Sequence, residues 1–151
     1  PSECIAVIDV RLVIETDGYK LHDLIKKHIE SLGYIVTDKE PSKEMRLKYD
    51  KIVRFNSRVS YPAFRTDINS DLGIWLKDVM VKTFGKEPVL KRTSGGSVPI
   101  SPFVNTLNIP AVGVPTVNKD NNQHSPNENI KVTNYIKGIE TFIGILSSKF
   151  D

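Results

Sequence analysis

The stretch IPAVGVPTVNKDNNQHSPNENIKVTNYIKGIETFIGILSS, residues 109–148, decides how this chain is read. It opens with Ile109 to Pro115, a run too apolar to face solvent, which predicts a strand. It closes with Val132, Ile136, Ile139, Ile143 and Leu146, spaced by fours and threes, which predicts a helix from Val132 to about Ser148. Between the two lies a polar loop, Asp120 to Asn129, with His124 at its centre. In open α/β sheets the loops beyond the carboxyl ends of strands carry the site, so this loop is the first place to look for chemistry.

Upstream the same alternation continues. Ser70 is a plausible helix cap and Asp71 suits the positive end of the helix dipole. Leu72, Trp75, Leu76, Val79, Met80 and Thr83 then form a stripe that Gly85 closes. Pro88 to Thr93 reads as a strand, residues 92–99 as a loop, and Ile100 to Leu107 as a short helix. Helix, strand, helix, strand, helix is a parallel α/β layer. Before residue 60 the pattern differs. Residues 4–15 alternate, with Ala6, Ile8, Val10, Leu12 and Ile14 on one face, which predicts a half-buried strand. A turn at Thr16-Asp17-Gly18 leads into a helix with Leu21, Leu24, Ile25, His28, Ile29 and Leu32 on its stripe and Gly33 as its stop. Tyr34 to Val36 is a short apolar run, residues 37–50 an exposed charged connection, and Lys51 to Val59 another strand. The chain is therefore read as α/β, α+β overall, changing architecture near residue 60.

Length and composition set wider bounds. The 151 residues are 39% hydrophobic, with 21 basic and 18 acidic side chains spread along the chain, which fits a folded domain and gives no nucleic-acid footprint. No run of about eighteen apolar residues predicts a membrane span. The lone Cys4 cannot form an internal disulfide and fits a reducing, cytoplasmic setting; its place in an apolar strand predicts a buried, inert thiol. His22 and His28 share a helix, but six positions rotate by roughly 240°, so they cannot hold one ion together. His28, on the stripe, is expected to be packed and His22 exposed.

Two loops in the second half carry the candidates. Paired glycines at Gly95 and Gly96, flanked by Ser94 and Ser97, let a backbone approach a ligand closely and can build an anion-binding concavity. The same residues also suit a plain turn before a helix. His124 is a candidate metal ligand, since neutral imidazole is a common zinc donor and Asp120 and Glu128 flank it, although a lone loop histidine is usually just an exposed one.

In their order and spacing, RTSGGSVP (92–99), LNIPAVGVP (107–115), NNQHSPNENI (121–130) and YIKGIETFIGIL (135–146) resemble the C-terminal segment of a known family. It is the zinc metallopeptidase and amidohydrolase family of acetylornithine deacetylase, succinyl-diaminopimelate desuccinylase and carnosine dipeptidase. VIDVRLVIETDGYKLHDLIKKHIESLGY (7–34) resembles a strand and helix of that family's lid domain. The resemblance implies residues 1–59 as part of a ferredoxin-like lid or dimerisation domain, and residues 60–151 as the C-terminal α/β part of a zinc-exopeptidase-like catalytic domain. It implies His124 as a zinc ligand, in a site of one or two ions, and Gly95, Gly96 and Ser97 as substrate-lining. The substrate would be a dipeptide or an N-acyl amino acid, whose amide a zinc-bound, carboxylate-activated water attacks. Dipeptidases of the family carry an arginine two positions before Gly-Gly. That place is Thr93 here, so Arg92 and, more remotely, Arg65 are the candidates for the substrate carboxylate.

The family's other ligands and its base sit in a His-x-Asp motif, a Glu-Glu pair and a further acidic residue. The sequence contains neither His-x-Asp nor Glu-Glu. Catalytic zinc takes about three protein ligands plus water, so the chain is expected to be a C-terminal fragment that hydrolyses nothing alone. The alternative expectation is a non-catalytic interaction module, forming a homodimer through the lid strand and helix, with the strand's open edge as the pairing site.

Overall fold

The structure, a computed structural model, describes residues 3–96 and 98–150. The chain divides into two compact units: residues up to Phe64 together with Gly95–Thr106, and Arg65–Ser94 together with Leu107 onward.

In the first unit, helix α1 (Gly18–Ser31) begins where the Asp17 carboxylate accepts the Tyr19 and Lys20 N–H groups, at 2.8 and 3.2 Å. It stops at Gly33, whose φ of 83° is the left-handed conformation the sequence predicts there. Gly18 is required by close approach: a Cβ would stand 2.9 Å from Val59 Cγ2 and 3.0 Å from Leu12 Cδ1. Strand β1 (Ile35–Thr37) pairs in parallel with β2 (Ile52–Arg54), Ile35 opposite Ile52. The crossover a parallel pair needs is helix α2 (Lys43–Lys48), within what reads as a charged loop. Ser42 caps it by accepting the Met45 N–H at 3.3 Å, while Arg46 and Lys48 sit at its negative end. Six residues exposing everything but Met45 leave no apolar stripe, so periodicity could not reveal it. Glu40 ties the crossover to the sheet through Arg46 and, at 2.7 Å, Arg54.

Residues 4–13 do not form the expected strand. They take no place in a sheet, and of the predicted inward face only Leu12 is half-buried, while Ile8 is 72% exposed. Alternation selects a face, but a strand also needs a neighbour for its backbone, and among the described residues none pairs with this one. Cys4 is accordingly exposed, not buried. The histidine expectation is reversed as well, since α1 turns Gly18, Leu21, His22, Ile25 and Ile29 inward, leaving His22 half-buried and His28 exposed.

In the second unit, helix α3 (Asp71–Phe84) is capped by Ser70, which accepts the Gly73 N–H at 3.3 Å, and ends at Gly85 with φ 66°. Its Val79 and Met80, 2% and 9% exposed, are the apolar core of this unit. Helix α4 (Ser101–Leu107), which up to Thr106 belongs to the first unit, falls where the sequence predicts a short helix. Helix α5 (Val132–Ser147) has the predicted length but packs on another face. Val132, Ile136, Ile139, Ile143 and Leu146 are all exposed, whereas Gly138 and Thr141 are buried. A Cβ on Gly144 would lie 2.3 Å from Thr83 Oγ1, and one on Gly138 3.2 Å from Thr116 Cβ. Small residues thus set the approach of α5 to α3 and to the segment before the histidine loop.

Neither Pro88–Thr93 nor Ile109–Pro115 is a strand in the structure. The second run is held differently: the Thr66 hydroxyl donates to the Ala111 carbonyl at 2.7 Å and accepts the Ala111 N–H at 2.9 Å. Among the described residues no helix is long and apolar enough to cross a membrane.

Candidate metal-ligand loop

Residues 118–131 have no regular secondary structure apart from turns, yet their polar groups are paired in detail. Asn118, 6% exposed, donates from Nδ2 to Asp120 Oδ1 (2.9 Å) and Asn129 Oδ1 (3.3 Å), and its Oδ1 accepts the Lys131 N–H (2.9 Å). One buried side chain therefore closes the loop at its base. Asn121, also buried, accepts the Gln123 N–H on its Oδ1 at 3.1 Å, and its carbonyl accepts the Asn129 N–H at 2.9 Å. Nearer the tip, Asn122 Nδ2 donates to the Pro126 carbonyl.

That frame holds backbone that L-residues seldom adopt. Asn122, His124 and Asn127 have φ of 57°, 60° and 63°. Each left-handed residue costs on the order of 1 kcal/mol, less for asparagine than for histidine. His124 sits at the exposed tip, its imidazole presented to solvent.

The flanking carboxylates behave differently from one another. Asp120 is committed to the frame: Lys131 Nζ donates to its Oδ2 at 2.9 Å. The Lys131 hydrogen bond first, then those from Asn118 and its own backbone N–H, bring the Asp120 carboxyl down to about 2. Glu128 is exposed on the same loop. Among the described residues no three His, Cys, Asp or Glu side chains gather as a metal-holding group. The described donor set therefore does not fit a complete metal site: His124 suits one ligand position and nothing described completes it.

Of the other predicted site residues, Arg65 and Arg92 lie in the same compact unit as His124, both exposed and both engaged in interactions. Gly95 and Gly96 belong to the first unit, and Ser97 lies outside the described residues. Nothing stands within 4 Å of where a Gly95 Cβ would be, so packing does not require a glycine there. A separate concavity of about 170 Å³ lies past the carboxyl ends of β1 and β2, lined by His22, Asp23, Lys26, Thr37, Asp38 and Ser57 among others. It is small beside the roughly 300–1,000 Å³ of ordinary ligand pockets. Reading the sequence for chemistry passed over Asn118, Asn121 and Asn129; the signal available was the density of asparagine, whose side chain both donates to and accepts from backbone.

No protein-family model matches the chain. It is 29% identical over 150 residues to a Cys-Gly metallodipeptidase of Candida albicans and 25% identical over 158 residues to one of Saccharomyces cerevisiae, each match covering 97% of this chain. An M20 family metallo-carboxypeptidase from Sulfolobus solfataricus superposes with a TM-score of 0.59 at 29% identity, over 90% of this chain. The chain spans 28% of the length of each of these proteins. In sequence and in fold the chain is thus similar to one class of proteins, the metallopeptidases. Within that class the resemblance runs to the M20 family, of which the Sulfolobus enzyme is a member.

Proposed function

We propose that this chain is the C-terminal part of a metal-dependent hydrolase that cleaves the amide bond of dipeptides or N-acyl amino acids, with zinc as the metal. The observation that carries the reading is similarity to two Cys-Gly metallodipeptidases along 97% of the chain. In this reading His124 is one metal ligand, delivered at the tip of a braced loop. Gly95, Gly96 and Ser97 line the substrate, with Arg92 or Arg65 for its carboxylate. The open space at Gly95 supports that role, because the glycine there is free to serve a ligand's approach. Residues 1–59 are the ferredoxin-like lid portion and residues 60–151 the catalytic portion. A homodimer through the residues 4–15 segment and α1 is part of the same proposal, and so is a cytoplasmic setting.

The chain by itself supplies one ligand and no base, so no turnover is expected of it. The test is to supply the purified chain with zinc and follow cleavage of Cys-Gly. No hydrolysis above the metal blank is expected, and robust zinc-dependent turnover sinks the incomplete-site reading. The coding sequence ahead of Pro1 tests the parent's activity: His-x-Asp and Glu-Glu motifs there support it, and their absence overturns it.

The alternative, a non-catalytic interaction module, is favoured by one observation, the exposed apolar face of residues 5–14. It predicts self-association that does not depend on metal.

A further inference from the structure

We infer that Asn118 is the positioning residue for His124, fixing the backbone from which the imidazole is presented. The inference rests on the reading of His124 as the functional group of its loop, but its evidence is the loop's own bonding. Asn118 is buried, and its amide joins three points of the chain: Asp120 two residues on, Asn129 eleven on and Lys131 thirteen on. Both of its N–H donors and its carbonyl oxygen are used within the loop, so this side chain does the closing that a β-ladder does in a hairpin. Everything between, including three left-handed residues, is carried on that closure. Left-handed backbone persists at non-glycine residues only where the surroundings over-determine it. Removing the closure lets His124 relax toward ordinary φ and swings its imidazole away from its present direction.

Asp120 and Asn129 cannot replace Asn118. Asp120 has only acceptors and is already bonded by Lys131. The Asn129 amide donates to the Asn127 carbonyl at 3.0 Å and so braces the tip, not the base. The neighbouring Asn121 accepts Gln123 and Asn129 N–H groups and sets the second rung, one step nearer the tip.

The experiment is solution NMR on the protein, with Asn118→Ala as the first variant and Asn129→Ala as the second. The readouts are the His124 HN–Hα coupling, which reports φ, and amide exchange at Asn129 and Lys131 against amides inside α5. In Asn118→Ala the coupling is expected to leave its left-handed value and exchange at Asn129 and Lys131 to quicken by about tenfold or more, while α5 keeps its protection. Asn129→Ala, which removes one of the three tethers, is expected to shift the same signals less, and it decides the matter if Asn118→Ala does not fold. An unchanged His124 coupling in a folded variant overturns the inference, and so does a parallel loss of α5 protection, which marks Asn118 as merely structural. The coding sequence ahead of Pro1 separates this inference from the reading beneath it. If that sequence lacks the His-x-Asp and Glu-Glu motifs the ligand assignment fails, while the coupling still decides the role of Asn118.

Discussion

Residues 118–131 and residues 4–14 both lack regular secondary structure, for opposite reasons. The first segment is polar, and its asparagines bond the backbone that no ladder or helix serves. The second is apolar and alternating, with Ile5 77% and Val7 93% exposed, and no strand among the described residues pairs with it. Order outside helices and sheets therefore depends on whether the polar backbone finds partners, not on whether the side chains are apolar. A conformation held by side-chain bonds can be broken by one substitution, whereas an extended segment outside any sheet has little to lose.

The largest effect is expected at the root of the histidine loop. Gly138 on α5 faces Thr116, two residues before Asn118, and Asn134 Nδ2 donates to the Thr116 carbonyl at 3.3 Å. Gly138→Leu places a side chain where even a Cβ is tight, pushing Thr116 away and costing about 1–3 kcal/mol of stability. Urea unfolding followed by far-UV circular dichroism measures this. An unfolding midpoint equal to that of the unsubstituted protein would mean that α5 does not brace the loop.

A smaller effect is expected from acid. Asp120 titrates in the folded protein at about 2, against 3.8 for the unperturbed group, so its pairing favours the folded state while the carboxylate is ionised. The contribution is complete above the unperturbed value and is lost as pH falls through about 2. The group is exposed and salt screens it, so the loop should loosen without the chain unfolding. NMR titration of the Asp120 carboxyl carbon should give a midpoint near 2, and Lys131→Met should return most of the shift. A midpoint near 3.8 in the unsubstituted protein refutes the ion pair.

Sequence made the three long helices legible, and much of the loop's chemistry, but little of the sheet. Ser70 and Gly85 bound α3, and Gly33 stops α1, because caps and left-handed stops are local signals. Helices also satisfy their own backbone within the segment. Strands do not, and residues 4–15, 88–93 and 109–115, each apolar enough to be read as strands, take no place in a sheet among the described residues. The packed face of α5 was hidden for another reason. Hydrophobic periodicity points to Ile136 and Ile139, but close approach is made by Gly138 and Gly144, which carry no hydrophobic signal. At the site, His124 was visible as a residue type in a polar loop. Its left-handed backbone and the Asn118 closure were not, because they depend on bonds across eleven and thirteen residues.

The smallest effect is expected from the other side of the comparison. Val7 is almost fully exposed and its segment takes no place in a sheet among the described residues, so Val7→Lys removes little packed surface. The unfolding free energy should stay within about 0.5 kcal/mol of that of the unsubstituted protein, as for surface substitutions in general. A charge on an extended apolar segment also opposes pairing with another chain, so sedimentation of concentrated samples should show less self-association in the variant. If stability falls instead by about 1 kcal/mol or more, residues 4–14 are packed in solution and the contrast with the histidine loop fails. If stability holds while self-association falls, the segment's apolar face is kept for contact with another chain, whereas the loop's order is set from within.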